Sequence, residues 1–529
     1  MLLKRLLFVA LILLCASLVL QAAIGTNSST SCSGAQDVID TFFDDELNFG
    51  AESNPTGSPV GGGDGYQDIT TVNAGANYTV TTTEELLAAL WNASSGDVIY
   101  IDEKAQIDLN DTPGGVIIPG GVTLASNRGE RTAAGSAAYS FEIEEPGEYV
   151  FWGLASASSE DNGSFWISVD RKEFRQWDIN TSPDWNWSKA GRHYLSSGQH
   201  VLTVQWREDN SKLDTIFVTD RDSPPETVLH EHNMGVQIWI EAESAILSSP
   251  MKTVPDPTAS GGACILIPEG SGMGEYPVSP GGRIFLESAS SDRGYMVGLI
   301  IGGERVRITG LRIEGPHKAT SSVSPTTVGI ISPYRNLEID NCEISGWSNA
   351  AIGLIGTGGS DMKTGGYIHH NYIHHNQNAD LGYGISVSNG AVALIEANYF
   401  DYCRHGIAGA GNAGDGYEAR YNICGPNWAG ISPHNFDMHG KPDPDGAGTI
   451  AGDTIQIHHN TFLGTASQMP TCIAIRGVPR DGAYIDHNWF YFTRDAPVWQ
   501  TGGRGNVSVT DNLIGADGQF SASGPIRYY

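Results

Sequence analysis

The stretch Arg404–Gly440, RHGIAGAGNAGDGYEARYNICGPNWAGISPHNFDMHG, contains the unit that decides the fold. In its segment YEARYNI, an Asn follows a short alternating run and precedes an apolar position. The same unit recurs in LEIDNCEI, YIHHNYI, LIEANYF, IQIHHNTF, YIDHNWF and VSVTDNLI, so the repeated residues are Asn341, Asn371, Asn398, Asn422, Asn460, Asn488 and Asn512. Their successive separations are 30, 27, 24, 38, 28 and 24 residues. This repetition predicts stacked coils of short strands rather than a compact sandwich.

Each unit is too short to stand alone, but stacked copies bury their apolar side chains and pair their backbones with the coils above and below. A repeated Asn at a bend tolerates left-handed geometry and can bond to the Asn of the next coil. The units resemble the asparagine ladder of pectate-lyase-like proteins, over about residues 66–130 and 281–515. This resemblance implies an all-β fold, a right-handed parallel β-helix, and leaves the reaction open.

The N-terminus predicts export. In residues 1–24, Lys4 and Arg5 precede an apolar run that ends in small residues, which is typical of a cleaved signal peptide. The alternative is an uncleaved anchor at the cell surface, and the small residues favour cleavage. Eight Asn-X-Ser/Thr sequons suit a secreted glycoprotein. Residues 25–65, rich in Ser, Gly, Asn and Asp, are expected to be an extended lead-in.

Composition limits the partners. The chain has 60 acidic and 30 basic residues and a net charge of −30, which excludes nucleic acid as a ligand. A polyanionic substrate would need local positive charge or a metal ion at its site. Six Cys follow the signal peptide without a CxxC pair, so a zinc ribbon is not expected, and buried thiols are favoured over disulfides.

Residues 66–131 are expected to form an N-terminal cap and the first coils. Thr81 to Thr83 can cap a helix whose Glu84 and Glu85 suit its positive end. The predicted apolar face of this helix consists of Leu86, Leu87, Leu90 and Trp91. The main β-helix is then expected over 281–515, with a tail at 516–529.

The coil pattern stops between about 132 and 280. EIEEPGEYVFWGLAS, GSFWISVD and HVLTVQWRE alternate like antiparallel strands, which predicts an inserted β-sandwich. Six of the twelve Trp residues lie between residues 152 and 206 of this region. Trp185 and Trp187 sit in the polar loop SPDWNWSKAG and, with Asn162, are candidates for carbohydrate binding, although a core role for each Trp remains open.

This insert resembles carbohydrate-binding modules of families 6 and 35 through GEYVFW, DNGSFWISVD, the WNW loop, SSGQHVLTVQWRE and LDTIFVTD. IEAESAILSSP and ASGGACI also match, but they come last here and first in those families, which suggests a circular permutation. The resemblance implies a structural calcium ion held by Glu241, Glu243 and Asp214. Oxygen ligands of this kind suit calcium.

Three strands that end in glycine, RHGIAG, FDMHG and IAIRG, locate the candidate active site. Their alignment predicts an inward row of Ile407, Met438 and Ile475 and an outward row of Ala408, His439 and Arg476, on coils roughly 5 Å apart. Asp437 shares the outward face, Arg404 lies near it, and His405 has inward parity. With Tyr383 from the preceding coil, the candidate catalytic residues are Tyr383, Arg404, His405, Asp437, His439 and Arg476.

These residue types fit β-elimination on a polysaccharide that contains uronic acid. Arg476 or Arg404 would neutralise the sugar carboxylate, His439 or His405 would remove the C5 proton, and Tyr383 would protonate the departing oxygen. The acidic calcium cluster usual in pectate lyases is not evident. Two rivals stay open: a β-helix glycoside hydrolase using Asp437 and Asp453, and a non-catalytic surface protein that binds glycans through the insert.

Overall fold

The computed structural model describes residues 49–72, 75–112, 114–131, 135–157, 163–170, 174–225, 235–271, 274, 276–288, 296–319, 322–428, 434–446, 448–464, 471–491, 496–515, 519–521 and 526–528. The predicted signal peptide and the first part of the lead-in lie outside these ranges. Within them, no helix has the length and apolar character needed to cross a bilayer.

Three long sheets, called sheets 1, 2 and 3, follow one another in the coils from Val98–Ile101 onward. Sheet 1 consists of Tyr78–Val80, Val98–Ile101, Thr123–Ala125, Arg307–Thr309, Leu337–Asp340, Gly366–His369, Val392–Glu396, Gly416–Arg420, Thr454–His458, Gly482–Asp486 and Val507–Val509. Sheet 2 consists of Gln106–Asp108, Arg283–Phe285, Arg312–Glu314, Glu343–Ser345, Tyr372–His374, Tyr399–Asp401, Ile423–Cys424, Thr461–Phe462, Trp489–Phe490, Asn512–Ile514 and Gln519–Ser521. Sheet 3 consists of Val116–Ile118, Met296–Ile301, Thr327–Ser332, Ala350–Ile355, Tyr383–Ser388, His405–Gly409, Phe436–Met438, Ile473–Ile475, Val498–Gln500 and Ile526–Tyr528.

These sheets confirm the predicted all-β class and the parallel β-helix. Apolar residues stack in register from coil to coil, as Ile308, Ile339, Ile368 and Ile395 do along sheet 1. All four are fully buried, and each such side chain stabilises the fold by roughly 1.5–3 kcal/mol. Strand pairing continues past residue 515, because Gln519–Ser521 and Ile526–Tyr528 extend sheets 2 and 3.

The asparagine ladder lies at the bend between sheets 1 and 2. The side-chain amide of Asn371 donates to Asn398 Oδ1 over 3.0 Å, and the same bond links each following pair up to Asn488 and Asn512. Asn341 was wrongly placed in this ladder, because the strand register puts Cys342 opposite Asn371. Left-handed geometry also belongs to the residue before each ladder position, including His370 and His459, and not to the ladder Asn.

Paired histidines line the same bend. In His369–His370 and His458–His459, the two Nδ1 atoms lie 2.8 and 2.9 Å apart, so each pair shares one proton. The first ring of each pair also faces a glutamate of the preceding coil, and the rings of His459 and His487 stack with centroids 4.9 Å apart. These contacts give the paired histidines a structural role at the bend.

The N-terminal helix, Thr83–Asn92, closes the first coils, and a short helix, Met362–Gly365, lies before a sheet 1 strand. Thr82 caps the first helix, and its side chain and Glu85 form a capping box. Leu86 and Leu90 pack into the β-helix core, whereas Leu87 and Trp91 are exposed. Two of the four residues predicted for the apolar face, Leu87 and Trp91, were therefore wrong, because the buried face of the helix consists of Leu86, Ala89 and Leu90.

Residues 49–68, called the strap, run across the bend that carries the ladder. A 3-10 turn spans Ala51–Ser53. Farther along, Gly61 donates to the carbonyl of Ala397, and the Tyr66 hydroxyl donates to Asp340 Oδ2 over 2.9 Å. Gly62 has φ 65, and a Cβ there would meet the carbonyl of His370. The strap thus passes from late coils to early ones.

Between Ala125 and Arg283 the chain forms two antiparallel sheets. One contains Asn186–Leu195, Gly147–Ala157, Ser211–Thr219, Ala263–Leu266, Lys252–Pro255 and Gln237–Glu241. The other contains Ile246–Leu247, Ser136–Ile143, Gly198–Trp206, Ser164–Val169 and Arg175–Asp178. The strands of 237–266 pair with strands of 136–219, and the two sheets enclose a core separate from that of the β-helix. Short 3-10 turns, Ala242–Ser244 and Ser260–Gly262, and a small hairpin, Lys441–Pro442 with Thr449–Ile450, complete the described elements.

The cysteines among the described residues are free and buried, as expected from the sequence.

Candidate functional site

The six predicted catalytic residues meet on the outer face of sheet 3. They lie on or beside four adjacent strands: Tyr383–Ser388, His405–Gly409, Phe436–Met438 and Ile473–Ile475. His434 joins them from the segment before the third strand. We call these seven residues the Arg–His cluster: Tyr383, Arg404, His405, His434, Asp437, His439 and Arg476.

The register differs from the glycine alignment by two residues at one step. Ala408 pairs with Asp437, not with His439, and Gly409 pairs with Met438. The next step, Met438 with Ile475, is as predicted. The error arises because the strand after Gly409 ends two residues before Gly440, so the two glycines are not equivalent.

Asp437 is the buried centre of the cluster. Its neighbours Phe436 and Met438 point into the core, so its side chain points outward, yet the cluster covers it completely. Arg476 donates through Nε and Nη2 to its two oxygens, and His439 Nε2 lies 2.7 Å from Oδ2. Burial alone would raise the pKa of Asp437, but the contacts with His434 and His439 hold it well below its ordinary value. The carboxylate is therefore ionised.

His405 does not have the inward orientation that strand parity predicted. A Cβ on Gly406 would face Phe400 in the core, so the chain turns at this point and His405 projects outward. Its ring stacks on His434 with centroids 4.5 Å apart. Its Nδ1 lies 2.7 Å from the carbonyl of His434, and its Nε2 lies 2.9 Å from Arg404 Nη1.

These two contacts set the protonation of His405. An arginine only donates, so Nε2 accepts from Arg404 and Nδ1–H donates to the carbonyl. Burial, followed by the nearby His434, lowers the pKa of His405 well below its ordinary value. His405 is therefore a neutral, fully buried ring with both nitrogens occupied.

Four members of the cluster, Tyr383, Arg404, His439 and Arg476, reach the surface. The side chains of His439 and Arg476 are 33% and 37% exposed, and Tyr383 is half-buried with its ring 6.5 Å from that of His439. Burial raises the pKa of Tyr383, Arg404 lowers it and Asp437 raises it, with a net increase. Tyr383 thus keeps its proton at neutral pH.

The cluster is closed to a metal ion. One donor atom from each of His405, His434 and Asp437 lies within 4.8 Å of the others. However, Arg404 already contacts the His405 nitrogen, and Arg476 contacts the other two groups. The N–H groups of the two guanidinium ions already contact the nitrogen and oxygen lone pairs that a cation would need as ligands. The positive charge of the guanidinium ions also repels a cation.

His434 was missed from the sequence, because it precedes the strand and strand parity says nothing about such positions. Its signal was the spacing His434, Asp437, His439 in HNFDMHG. Its Nε2 lies 3.3 Å from Asp437 Oδ2 and 3.1 Å from Arg476 Nη2. It therefore ties the two strands of the cluster together.

The three carboxylates predicted to bind calcium lie around one loop of the sandwich. Ser260 donates to Asp214 Oδ2 through its backbone and to Glu241 Oε1 through its hydroxyl, each over 3.0 Å. Asp214 Oδ1 and Glu243 Oε2 are buried, and neither has a hydrogen-bond partner among the described residues. Burial, with Glu241 and Glu243 nearby, raises the pKa of Asp214 to about 6. Oxygens of this kind are ligands that calcium prefers, but the carboxylates of Asp214, Glu241 and Glu243 do not all bring an oxygen within 4.8 Å of one another, so the three are not arranged as a closed ion site.

The two predicted sugar-binding tryptophans have different contacts. Trp187 packs edge-on against Trp239 at 5.9 Å, and Phe217 lies 4.6 Å from Trp239. Trp185 instead donates to Thr258 over 3.0 Å. Trp239 is 53% exposed, so these rings form an aromatic surface that the sequence indicated only through Trp187. Asn162 lies outside the described residues.

No family model matches this chain, and no curated protein matches it. Solved structures similar to it include an alginate lyase from Paenibacillus sp. str. FPU-7, with 12% identity, a TM-score of 0.37, and 85% of this chain and 97% of that one covered. The catalytic domain of a GH87 α-1,3-glucanase has 11% identity, a TM-score of 0.26, and 74% and 77% coverage. A ruminal GH26 endo-β-1,4-mannanase has 21% identity and a TM-score of 0.16. The match covers 19% of this chain and 20% of the mannanase chain.

Proposed function

We propose that this protein is an exported, polysaccharide-active enzyme, a lyase that cleaves a uronic-acid-containing chain by β-elimination at the Arg–His cluster. The observation that carries the proposal is the convergence of two arginines on one outer patch of a protein with net charge −30. With one ionised carboxylate and a neutral His405, the patch retains positive charge. Such a patch suits an anionic sugar.

The reaction needs three roles. A guanidinium neutralises the sugar carboxylate, which makes the C5 proton more acidic. His439 removes that proton, the electron pair forms the C4–C5 double bond, and the C4–O bond breaks. The Tyr383 hydroxyl gives its proton to the departing oxygen. The net increase in the pKa of Tyr383 supports this acid role, because the group is protonated before the reaction.

The geometry supports His439 rather than His405 as the base. His405 is fully buried, and both of its nitrogens have partners. In contrast, His439 is partly exposed, and its Nε2 faces Asp437. This contact orients the ring and leaves Nδ1 for substrate, as in other histidine bases that a carboxylate positions.

The hydrolase alternative receives less support from the described residues. A glycosidase needs two carboxyl groups that reach the sugar. Asp437 is fully buried and bonded to Arg476. Asp453 lies beside another element, directly before the sheet 1 strand Thr454–His458.

A second role, glycan binding by the sandwich, is favoured by its aromatic surface. Exposed rings such as Trp239 stack on sugar faces, and a calcium ion at Asp214, Glu241 and Glu243 would stiffen the adjacent loop. Were this the only role, the protein would hold glycans at the cell surface without cleaving them.

Product analysis on a panel of polysaccharides separates these functions. The full chain is incubated with alginate, polygalacturonate, glucuronan and neutral glucans, and products are followed by ultraviolet absorbance and mass spectrometry. Unsaturated ends on an acidic polymer support the lyase. New reducing ends without unsaturation indicate a hydrolase, and binding without products indicates a glycan-binding protein; either result overturns the lyase proposal.

A further inference from the structure

A cavity of about 750 Å³ opens between the first coils and the sandwich. Tyr100, Glu103 and Glu130 line it from the β-helix, and Trp206 lines it from the sandwich. Tyr276, which follows the sandwich, completes this wall. The volume lies within the range of about 300–1,000 Å³ that is typical of small-molecule sites. None of its lining residues belongs to the Arg–His cluster.

A buried amide fixes two carboxylates at this cavity. Asn127 Nδ2 donates to Glu103 Oε2 over 3.1 Å and to Glu130 Oε2 over 2.7 Å. Its Oδ1 accepts from the Ser279 hydroxyl over 2.8 Å, which holds the amide in place. The two carboxylates are therefore held side by side, and their other oxygens remain as hydrogen-bond acceptors.

Tyr100 adds a hydroxyl group to the lining of the cavity. Its strand neighbours Ile99 and Ile101 point into the core, so Tyr100 points out of the β-helix and into the cavity wall. The side chain is only 3% exposed. Its hydroxyl has no hydrogen-bond partner among the described residues. Burial, then Glu130 and Glu103, raises its pKa, so the hydroxyl stays protonated and can donate.

Aromatic rings form another part of the lining. Tyr276 is 42% exposed and packs edge-on against Trp166 at 5.3 Å, which fixes the ring. Trp206 is partly buried against the sandwich core. These rings add apolar faces to a cavity that also contains the carboxylates and the Tyr100 hydroxyl.

We propose that this cavity binds one or two residues of an uncharged saccharide. Sugar hydroxyls would donate to Glu103 and Glu130 and accept from Tyr100, while a ring face packs on the aromatic wall. Asp102, Glu103 and Glu130 outnumber Lys104 and Arg131, and Arg131 is already paired with Asp64. The wall is therefore acidic and repels uronates, so its ligand differs from the substrate of the Arg–His cluster.

Calorimetry and saturation-transfer NMR on the full chain test this site. The probes are trisaccharides of glucose, mannose, galactose and xylose, with trigalacturonate as the charged comparison. All measurements use a Trp239→Ala background, so that the aromatic surface of the sandwich does not contribute. We expect millimolar or tighter binding of at least one neutral sugar, and none of trigalacturonate.

Tyr100→Phe and Glu103→Gln should each weaken that binding about tenfold, because each removes one hydrogen bond to the sugar. The matched controls Tyr194→Phe and Glu142→Gln, at exposed positions of the sandwich, should leave it unchanged. Circular dichroism and melting curves establish that the variants are folded. Absence of neutral-sugar binding, equal binding of trigalacturonate, or binding that survives both cavity substitutions overturns the proposal.

Discussion

Asp437 positions the Arg–His cluster although it is shut off from solvent. Arg476 bonds to its carboxylate and His439 Nε2 lies 2.7 Å from it, so both side chains are arranged around one buried charge. Breaking such a buried pair leaves the partner charge uncompensated. The cluster therefore combines a buried carboxylate, which holds the other side chains in place, with exposed groups that we propose contact the substrate.

His439→Ala should abolish most turnover and leave the fold intact. The side chain is partly exposed, and loss of a general base costs about 10²–10⁴-fold in rate. Formation of unsaturated uronate ends measures the loss. His487→Ala, a partly exposed histidine at the ladder bend, is the control and should keep wild-type activity; equal loss in both variants would remove His439 from the mechanism.

Asp437→Asn should lower stability at neutral pH, on the order of 3 kcal/mol. The folded pKa of Asp437 is depressed, so its contribution is present above the unfolded value of about 3.9 and is lost as pH falls through the folded value. The difference in free energy of unfolding between wild type and variant should therefore shrink below about pH 4. Urea titrations at neutral and acidic pH measure it, and a difference independent of pH would contradict this account.

At the scale of elements, the ladder bend couples histidine pairs to the strap. Thr56 Oγ1 lies 2.8 Å from His370 Nε2, and His370 shares a proton with His369. Burial and the neighbouring His369 lower the pKa of His370 to about 4. Burial and His458 lower that of His459 to about 4 as well.

Acid should therefore loosen this bend. The unfolded histidines bind protons from about pH 6.5, while the folded rings of His370 and His459 resist until about 4. The unfolded state thus binds more protons in this window, and stability falls as pH falls through it. His370→Gln should flatten the dependence of Tm on pH. Thr56→Val removes the same hydrogen bond without the titrating group, so it should lower Tm and keep the slope.

The sequence predicted the coils because alternation and a repeated Asn are local signals. It misplaced Asn341, since a Cys occupies the equivalent ladder position, and it missed His434, which lies outside any strand. The two-residue register error at Gly409 has a similar origin: strand ends depend on pairing with the next coil, which spacing alone does not give. The sequence nevertheless grouped Arg404, His439 and Arg476 correctly, because the three residues flank strands on adjacent coils, and such strands lie roughly 5 Å apart.

The chain contains two separate hydrophobic cores, and the sandwich has its own candidate ion site. Removing calcium from the full chain should lower the Tm of the transition that belongs to the sandwich, because the ion would bind only the folded state. Differential scanning calorimetry with and without chelator measures this shift. Asp214→Asn should make the melting curve insensitive to chelator. The control Asp222→Asn changes an exposed residue, and its melting curve should still respond to chelator. An unchanged wild-type curve would contradict the calcium assignment.

The strap also constrains the order in which parts of the chain fold during synthesis. Ala51 donates to Thr461 Oγ1, 410 residues later in the chain, and Gly50 donates to the carbonyl of His487. A ribosome releases the strap first and its farthest docking positions near the end. Nascent coils must therefore stack without it, and its closure is among the last steps of folding, because contacts this distant in sequence form slowly.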